Sequence, residues 1–174
     1  MSPPIQTFAI RDVTRADAAA LADLLNAIIA QGGTTALEKP YTADALAEAY
    51  LVGPDVHCCF VAVDPGTGRI EGFQTLGRNP ALPAGVGDIG TFSRLNGTQR
   101  GVGRALFAAT RDRARALGLS AINATIRADN AGGLAFYSSL GFADRDRIVG
   151  VPLKDGTPID RIVKRYALTA AENG

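Results

Sequence analysis

Tryptophan is missing from this chain of 174 residues, methionine and histidine each occur once, and cysteine occurs twice. One histidine, His57, cannot build a multi-histidine metal site. The two cysteines, Cys58 and Cys59, are chain neighbours, which rarely reach disulfide geometry without strain. Neither a disulfide framework nor a cysteine-based zinc cluster is expected, and no metal. No charge of one sign prevails: 18 Lys and Arg against 17 Asp and Glu leave a net charge of +1. Nucleic-acid binders carry a basic excess, so a nucleic-acid partner is not expected. Long apolar runs are lacking too. The longest, Ala18 to Ala30, is broken by Asp23 and Asn26 and is too short to cross a bilayer. Met1 to Arg11 has neither the basic start nor the apolar run of a signal peptide. The expectation is a reduced, cytoplasmic setting without a membrane partner.

What is present is a globular composition, 47% hydrophobic and 20% charged. The length is close to the prior of roughly 150 residues per domain, so residues 1–174 read as one domain. A chain of this size buries about 70% of the surface it exposes when unfolded, and needs no staple to fold.

Periodicity sets out the elements. Gln6 to Arg11 alternates like a strand. Thr14 with Asp17 resembles a helix N-cap followed by an N3 acid. Leu21, Leu24, Leu25 and Ile28 then recur at helical spacing over about residues 15–30. Thr42 opens a second helix, to about Leu51, that turns Leu46 and Tyr50 inward. Val56 to Val63 and Arg69 to Leu76 read as strands about a turn at Asp64 to Gly68. Val86 to Ser93 is a further strand, whose interior Gly90 suggests a bulge or a close backbone approach. A long helix runs to about Leu117 on an inner stripe of Leu106, Thr110, Ala114 and Leu117, with Gly118 as its C′ residue. Leu119 to Ile126 is a strand, Asn130 to Leu140 a helix ended by Gly141, and Phe142 to Val151 with Ile159 to Leu168 a last hairpin. The order β-α-α-β-β-β-α-β-α-β-β implies an α/β (α+β) fold, a mixed sheet with helices on both faces and a locally parallel pair in the middle.

The segment from Gln99 through Arg100, Gly101, Val102, Gly103, Arg104 and Ala105 to Leu106 follows a strand and opens a helix. A helix start leaves up to four amides without partners and carries a partial positive charge. Glycine at 101 and 103 bares the backbone there. The turn therefore suits an anion such as a pyrophosphate, with Arg100 and Arg104 at its rim; taken alone it reads equally as a plain tight turn. It is neither a Walker loop, since the Gly-Lys-Ser/Thr ending is absent, nor a Rossmann fingerprint, since the third glycine and the later acid are absent.

A second segment, Arg127 to Phe142, carries Asn130, Tyr137, Gly141 and Phe142. Taken together, the two segments resemble the GNAT superfamily of acyl-CoA N-acyltransferases. Arg100, Gly103 and Ala105 occupy the defined positions of that family's Arg/Gln-x-x-Gly-x-Gly/Ala motif, and the later four residues match its Asn…Tyr…Gly-Phe pattern. The stretch before Arg100 departs from the family in lacking the common proline. The run Thr34 to Pro40 is similar to the acceptor-side loop of phosphinothricin-type acetyltransferases.

The resemblance implies a mostly antiparallel sheet with a central parallel pair splayed apart, acetyl-CoA as acyl donor in that splay, and direct attack by a primary amine in a ternary complex. It implies that the donor's pantetheine pairs near Thr91, Phe92 and Ser93, that its pyrophosphate rests on amides from Gly101 to Ala105, and that Asn130 caps its helix and bonds the donor's amide arm. It implies that Tyr137 is the general acid; on spacing alone Tyr137 reads as a core aromatic beside Phe136. A base is needed because an alkyl amine with pKa near ~10 is mostly protonated at neutral pH. The candidates are Asp88, on the strand beside the cleft, Glu38, in the loop after the first helix, and a bound water; each carboxylate also reads as a plain solvated acid. His57 reads as structural, and no neighbour activates either cysteine.

A small-molecule amine is the expected acceptor. A protein or peptide acceptor, a non-catalytic acyl-CoA-binding module and a flavodoxin-like phosphate binder are the alternatives, the last at odds with the second segment. Homodimers are common in the family, which leaves a homodimer as a further expectation.

Overall fold

The computed structural model describes residues 7–97 and 100–168. Seven strands form one sheet in the order β1-β2-β3-β4-β5-β7-β6. They are β1 (Ala9–Asp12), β2 (Val56–Val63), β3 (Ile70–Arg78), β4 (Val86–Ser93), β5 (Ala121–Arg127), β6 (Ala143–Pro152) and β7 (Pro158–Ala167). Every neighbouring pair is antiparallel except β4 and β5. The α-helices among the described residues are α1 (Ala18–Gln31), α2 (Ala43–Leu46), α3 (Val102–Ala116) and α4 (Ala131–Leu140).

Strand alternation divides the core in two. Cys58, Phe60, Ala62 and Leu76 face α3 and α4, where Leu106, Phe107, Ala114 and Tyr137 meet them. Cys59, Val61 and Phe73 face α1 and α2, against Leu21, Leu25 and Leu46. The adjacent cysteines therefore lie in opposite cores, both buried and free. His57 is the extra residue between the pairs Val56–Gly77 and Cys58–Leu76, a β-bulge position.

The helix ends follow from their caps. The Asp17 carboxylate accepts the Thr14 amide at 2.8 Å and the Arg11 guanidinium at 2.8 and 2.9 Å, fixing the 3₁₀ turn Arg15–Asp17 that leads into α1. Thr42 Oγ1 accepts the Ala45 amide at 3.1 Å and opens α2. The helix expected to reach Leu51 instead loosens at Ala47 into a π turn, closed by Val52 N–H to the Ala47 carbonyl at 2.8 Å. That turn docks on the sheet through Thr75 Oγ1, which donates to the Tyr50 carbonyl at 2.6 Å.

Two local expectations need correction. Leu117 is half exposed rather than part of the inner stripe; it is the C-cap of α3, where the chain already turns away, and Phe107 and Val102 fill the core instead. Gly90 is not in a bulge, because the β3–β4 register runs unbroken from Gly72–Ser93 to Arg78–Gly87.

The feature that positions the site lies between β4 and β5. Their parallel pairing covers Val86–Ala121, Gly87–Ile122 and Asp88–Asn123, and stops there. Beyond Asp88 the two strands diverge, which leaves the β4 edge from Ile89 to Ser93 without a strand neighbour on that side.

Candidate active site

A cavity of about 480 Å³ opens where the strands part. Its walls include Asp88, Thr91, Phe92 and Ser93 from β4, Thr125 to Arg127 from β5, and Asn130 and Tyr137. On the α1–α2 side it is bounded by Thr34 to Leu37 and by Tyr50 of the π turn. The wall of the cleft thus draws on residues from both faces of the sheet.

Tyr137 stands on the α3–α4 side. The helix that carries it begins at Asn130, whose Oδ1 accepts the Gly133 amide at 2.9 Å, as an N-cap does. It ends in a Schellman motif, with Gly141 N–H to the Ser138 carbonyl and Phe142 N–H to the Tyr137 carbonyl, each at 3.1 Å. Phe142 thereby folds back on Tyr137, ring centroids 5.1 Å apart. The Asn…Tyr…Gly-Phe spacing thus has a direct physical meaning: cap, C3, C′ and C″ of one helix. The Tyr137 hydroxyl lies 2.8 Å from Thr91 Oγ1. Burial pushes its phenol up to about 12, the Thr91 hydrogen bond pulls down, and the Asp88 charge adds to the rise. Tyr137 therefore holds its proton throughout the neutral range.

Asp88 has the opposite β4 parity and belongs to the α1–α2 side. Its carboxylate accepts Asn79 Nδ2 and Asn123 Nδ2, each at 3.1 Å. Burial, followed by the hydrogen bond to Tyr41, pushes the Tyr50 phenol up, and the charge of Asp88 raises it further. The Tyr137 hydroxyl and the Asp88 carboxylate thus stand at the cleft from opposite faces of the sheet.

Glu38 lies elsewhere. Its carboxylate accepts the Lys154 amide at 3.1 and 2.9 Å, and it lines a separate cavity of about 220 Å³ with Arg127 and Lys154. It ties the loop after α1 to the β6–β7 turn. That loop is pinned at three more points: Asn130 Nδ2 donates to the Thr34 carbonyl at 3.1 Å, Arg127 donates to the Thr35 carbonyl at 3.3 Å, and Asn26 exchanges two bonds of 2.9 Å with the Tyr41 backbone. Arg127 is buried and also paired with Asp129 at 2.8 Å. Neither Arg127 nor Asn26 stands out in the sequence; their loop partners, Thr35 and Tyr41, are 92 and 15 positions away, where periodicity gives no signal.

The turn into α3 puts the expected anion-binding residues together. Gly101 is its N-cap, at φ +91°, a conformation that favours glycine. The first-turn amides of Val102, Gly103 and Arg104 have no partner within the helix. The side chains do other work. Val102 is buried and Ala105 packs against the core. Arg104 donates to Ser139 Oγ at 3.2 Å, and Arg100 is exposed. Gln99, at the head of the segment, lies outside the described residues.

Gly103 adds to a sequence reading. A Cβ there would meet the Phe136 ring at 2.7 Å, so the missing side chain serves the contact between α3 and α4, a cause the sequence reading did not include. Gly103→Val is expected to lower stability by about 1–3 kcal/mol through overpacking and to weaken anion binding by displacing the first turn. Adding Phe136→Ala should restore part of the lost stability, read as a non-additive double-mutant cycle in chemical denaturation. Strict additivity would show that Phe136 is not the obstacle.

The cysteines offer no nucleophile. Burial pushes the Cys58 thiol up to about 11 and raises that of Cys59 as well. His57 is not among the residues that line the cleft, and no metal-binding group of His, Cys, Asp or Glu occurs among the described residues.

The sheet parts at one parallel pair, and near the end of β4 a helix start presents amides without partners in the helix. The sequence profile of the acetyltransferase (GNAT) family matches residues 35–142, more than half of the chain. The chain belongs to that family. No curated protein matches the sequence. Solved structures share the fold. A GCN5-related N-acetyltransferase from Kribbella flavida is 23% identical, with a TM-score of 0.79 over 92% of this chain and 97% of the other. A phosphinothricin acetyltransferase from Sinorhizobium meliloti, in complex with AcCoA, is 20% identical, with a TM-score of 0.78 over 92% and 88%. A ribosomal-protein-alanine N-acetyltransferase from Brucella melitensis is 21% identical, with a TM-score of 0.77 over 91% and 99%. Proteins named for a small acceptor and for a protein acceptor thus share this architecture.

Proposed function

We propose that this protein transfers the acetyl group of acetyl-CoA to the primary amine of a small molecule, by direct attack within a ternary complex. The observation that carries the reading is the end of β4–β5 pairing at Asp88–Asn123, which opens a cleft lined by both Tyr137 and Asp88. The residues fit the donor. The unpaired β4 edge at Thr91, Phe92 and Ser93 offers strand-like hydrogen bonds to the amides of pantetheine. The first-turn amides of α3, from Gly101 to Arg104, offer donors and a helix dipole to its pyrophosphate, with Arg100 beside them; the Ala105 amide, expected to join them, instead donates to the Gly101 carbonyl at 3.0 Å. Asn130 has one amide proton left after binding Thr34, available to the donor's arm.

Acetyl-CoA supplies an activated thioester. On the α1–α2 side, Asp88 attracts the ammonium form of the acceptor and takes its proton, directly or through one water. On the other side, Tyr137 Oη gives its proton to the departing thiolate, whose conjugate thiol has a pKa of about 8.5. The pinned loop Thr34 to Leu37 bounds the acceptor end of the cleft, which favours a compact acceptor over an extended peptide. Glu38 is assigned to holding that loop.

Calorimetry with acetyl-CoA tests the donor, and a panel of small amines and peptides assayed for thiol release tests the acceptor. Binding heat together with turnover of small amines is expected. Absence of binding heat overturns the reading, and turnover of peptides alone moves the acceptor to the protein class.

A further inference from the structure

Gln74 lies on β3 directly opposite Thr91 of β4. It is fully buried, 0% exposed. Its Nε2 donates to Thr91 Oγ1 at 2.9 Å, and the same Oγ1 stands 2.8 Å from the Tyr137 hydroxyl. The other end of the amide, Oε1, is buried without a hydrogen-bond partner among the described residues.

An orphaned buried carbonyl is a net cost to stability, and an apolar side chain of similar size would avoid it. The glutamine is therefore a poor choice for packing alone. Its donor end has a specific consequence. A threonine hydroxyl has one proton and two lone pairs. With the Gln74 N–H on one lone pair, the Thr91 proton is free to turn toward Tyr137 Oη. Tyr137 then receives a hydrogen bond on its oxygen and keeps its own proton for a third partner in the cleft.

We propose that Gln74, acting through Thr91, is a positioning residue that aims the Tyr137 proton into the cleft and stabilises the oxygen left behind. The proposal rests on the reading of Tyr137 as the acid. As the amine nitrogen–carbon bond forms and the carbon–sulfur bond breaks, the Tyr137 proton passes to sulfur. The phenolate oxygen accepts the Thr91 O–H, held in place by Gln74, until solvent returns a proton. The acceptor sheds two protons by way of Asp88 to solvent, one as the ammonium ion becomes the free amine and one as the amide forms; one of them offsets the proton that solvent returns to Tyr137, so a single proton is released overall.

Gln74→Leu and Thr91→Val test this. Each should lower kcat about tenfold, the worth of one hydrogen bond to a developing charge, with KM for acetyl-CoA unchanged. Thr91→Ser, which keeps the hydroxyl, should recover most of the rate. In a Tyr137→Phe background, Gln74→Leu should have no further effect on kcat. Two readouts need no acetyl-CoA. The melting temperature of Gln74→Leu should not fall, since an unpaired carbonyl is removed. The NMR resonance of the ring carbon that bears the Tyr137 hydroxyl should move in both variants, while those of Tyr41, Tyr50 and Tyr166 stay in place. If Tyr137→Phe is slow but Gln74→Leu turns over at the wild-type rate, or slows the Phe variant just as much, the relay is overturned and the acid stands. If Tyr137→Phe itself turns over at the wild-type rate, the acid falls and the relay falls with it, whatever the resonance does.

Discussion

Tyr137→Phe should lower kcat by about 10²-fold or more, the usual worth of a positioned general acid, while KM for acetyl-CoA stays within about twofold. The ring is held by Phe136 and Phe142, with centroids 4.9 and 5.1 Å away, and phenylalanine preserves both contacts. The substitution removes only the hydroxyl and its 2.8 Å bond to Thr91, so ground-state binding is untouched and the loss falls on the transition state. The acid role also predicts a dependence on the leaving group. A donor whose thiol is more acidic needs less help on departure, and the gap between wild type and variant should narrow with such a donor. Because burial holds the phenol near 12, Tyr137 does not lose its proton between neutral pH and about pH 10, and an alkaline fall in rate over that range would have another origin. A variant that turns over at the wild-type rate at saturating acceptor would remove Tyr137 from the chemistry.

The parts of this site written in the sequence are those whose causes are local. Two strands, Val56–Val63 and Val86–Ser93, have the bounds their composition implies. The helix between Asn130 and Gly141 was legible because its cap and its terminator are both residue-specific. The packing role of Gly103 gave no local signal, since Phe136, the ring that fills the space, comes from the next helix. Gln74 and Arg127 gave no signal for the same reason: each acts on a residue of another element. Glu38 shows the limit from the other side. A loop of suitable composition named a carboxylate, yet its direction is set by the backbone amide of Lys154, more than a hundred positions along the chain. Leu117 continues a correct helical stripe, but periodicity does not tell the last inward residue from the first one past the cap. The family's motifs bridged part of this gap, because they join segments that local periodicity treats separately; of the two, the later one supplies Asn130 and Tyr137 to the cleft wall.

Asp88→Asn should reduce kcat by about 10²-fold at neutral pH, and the loss should shrink as pH rises. The carboxylate sits at the last paired position before the strands part, and its lone pairs are shared with Asn79 and Asn123 at 3.1 Å, so it is oriented by two neutral donors; among the described residues the cation that acts on it, Arg165, is held one residue away, donating to Asn123 Oδ1 at 3.2 Å. The acceptor arrives mostly as an ammonium ion below its pKa near ~10. With Asp88 present, attraction and proton removal happen in the cleft. With asparagine, the reaction depends on the fraction of free amine already in solution, which grows about tenfold per pH unit below that pKa. The rate ratio of wild type to variant should therefore fall steadily between neutral pH and about pH 10. Altered packing alone would leave that ratio flat, because removing a charge from a structural contact does not change the supply of unprotonated acceptor. The same experiment separates the two carboxylates named from the sequence: Glu38→Gln should loosen the loop over the cleft and raise KM for the acceptor, with a rate ratio that does not vary with pH. If instead the pH-dependent ratio appears in Glu38→Gln and not in Asp88→Asn, the base is Glu38, and the loop must swing its carboxylate away from Lys154 before the amine reacts.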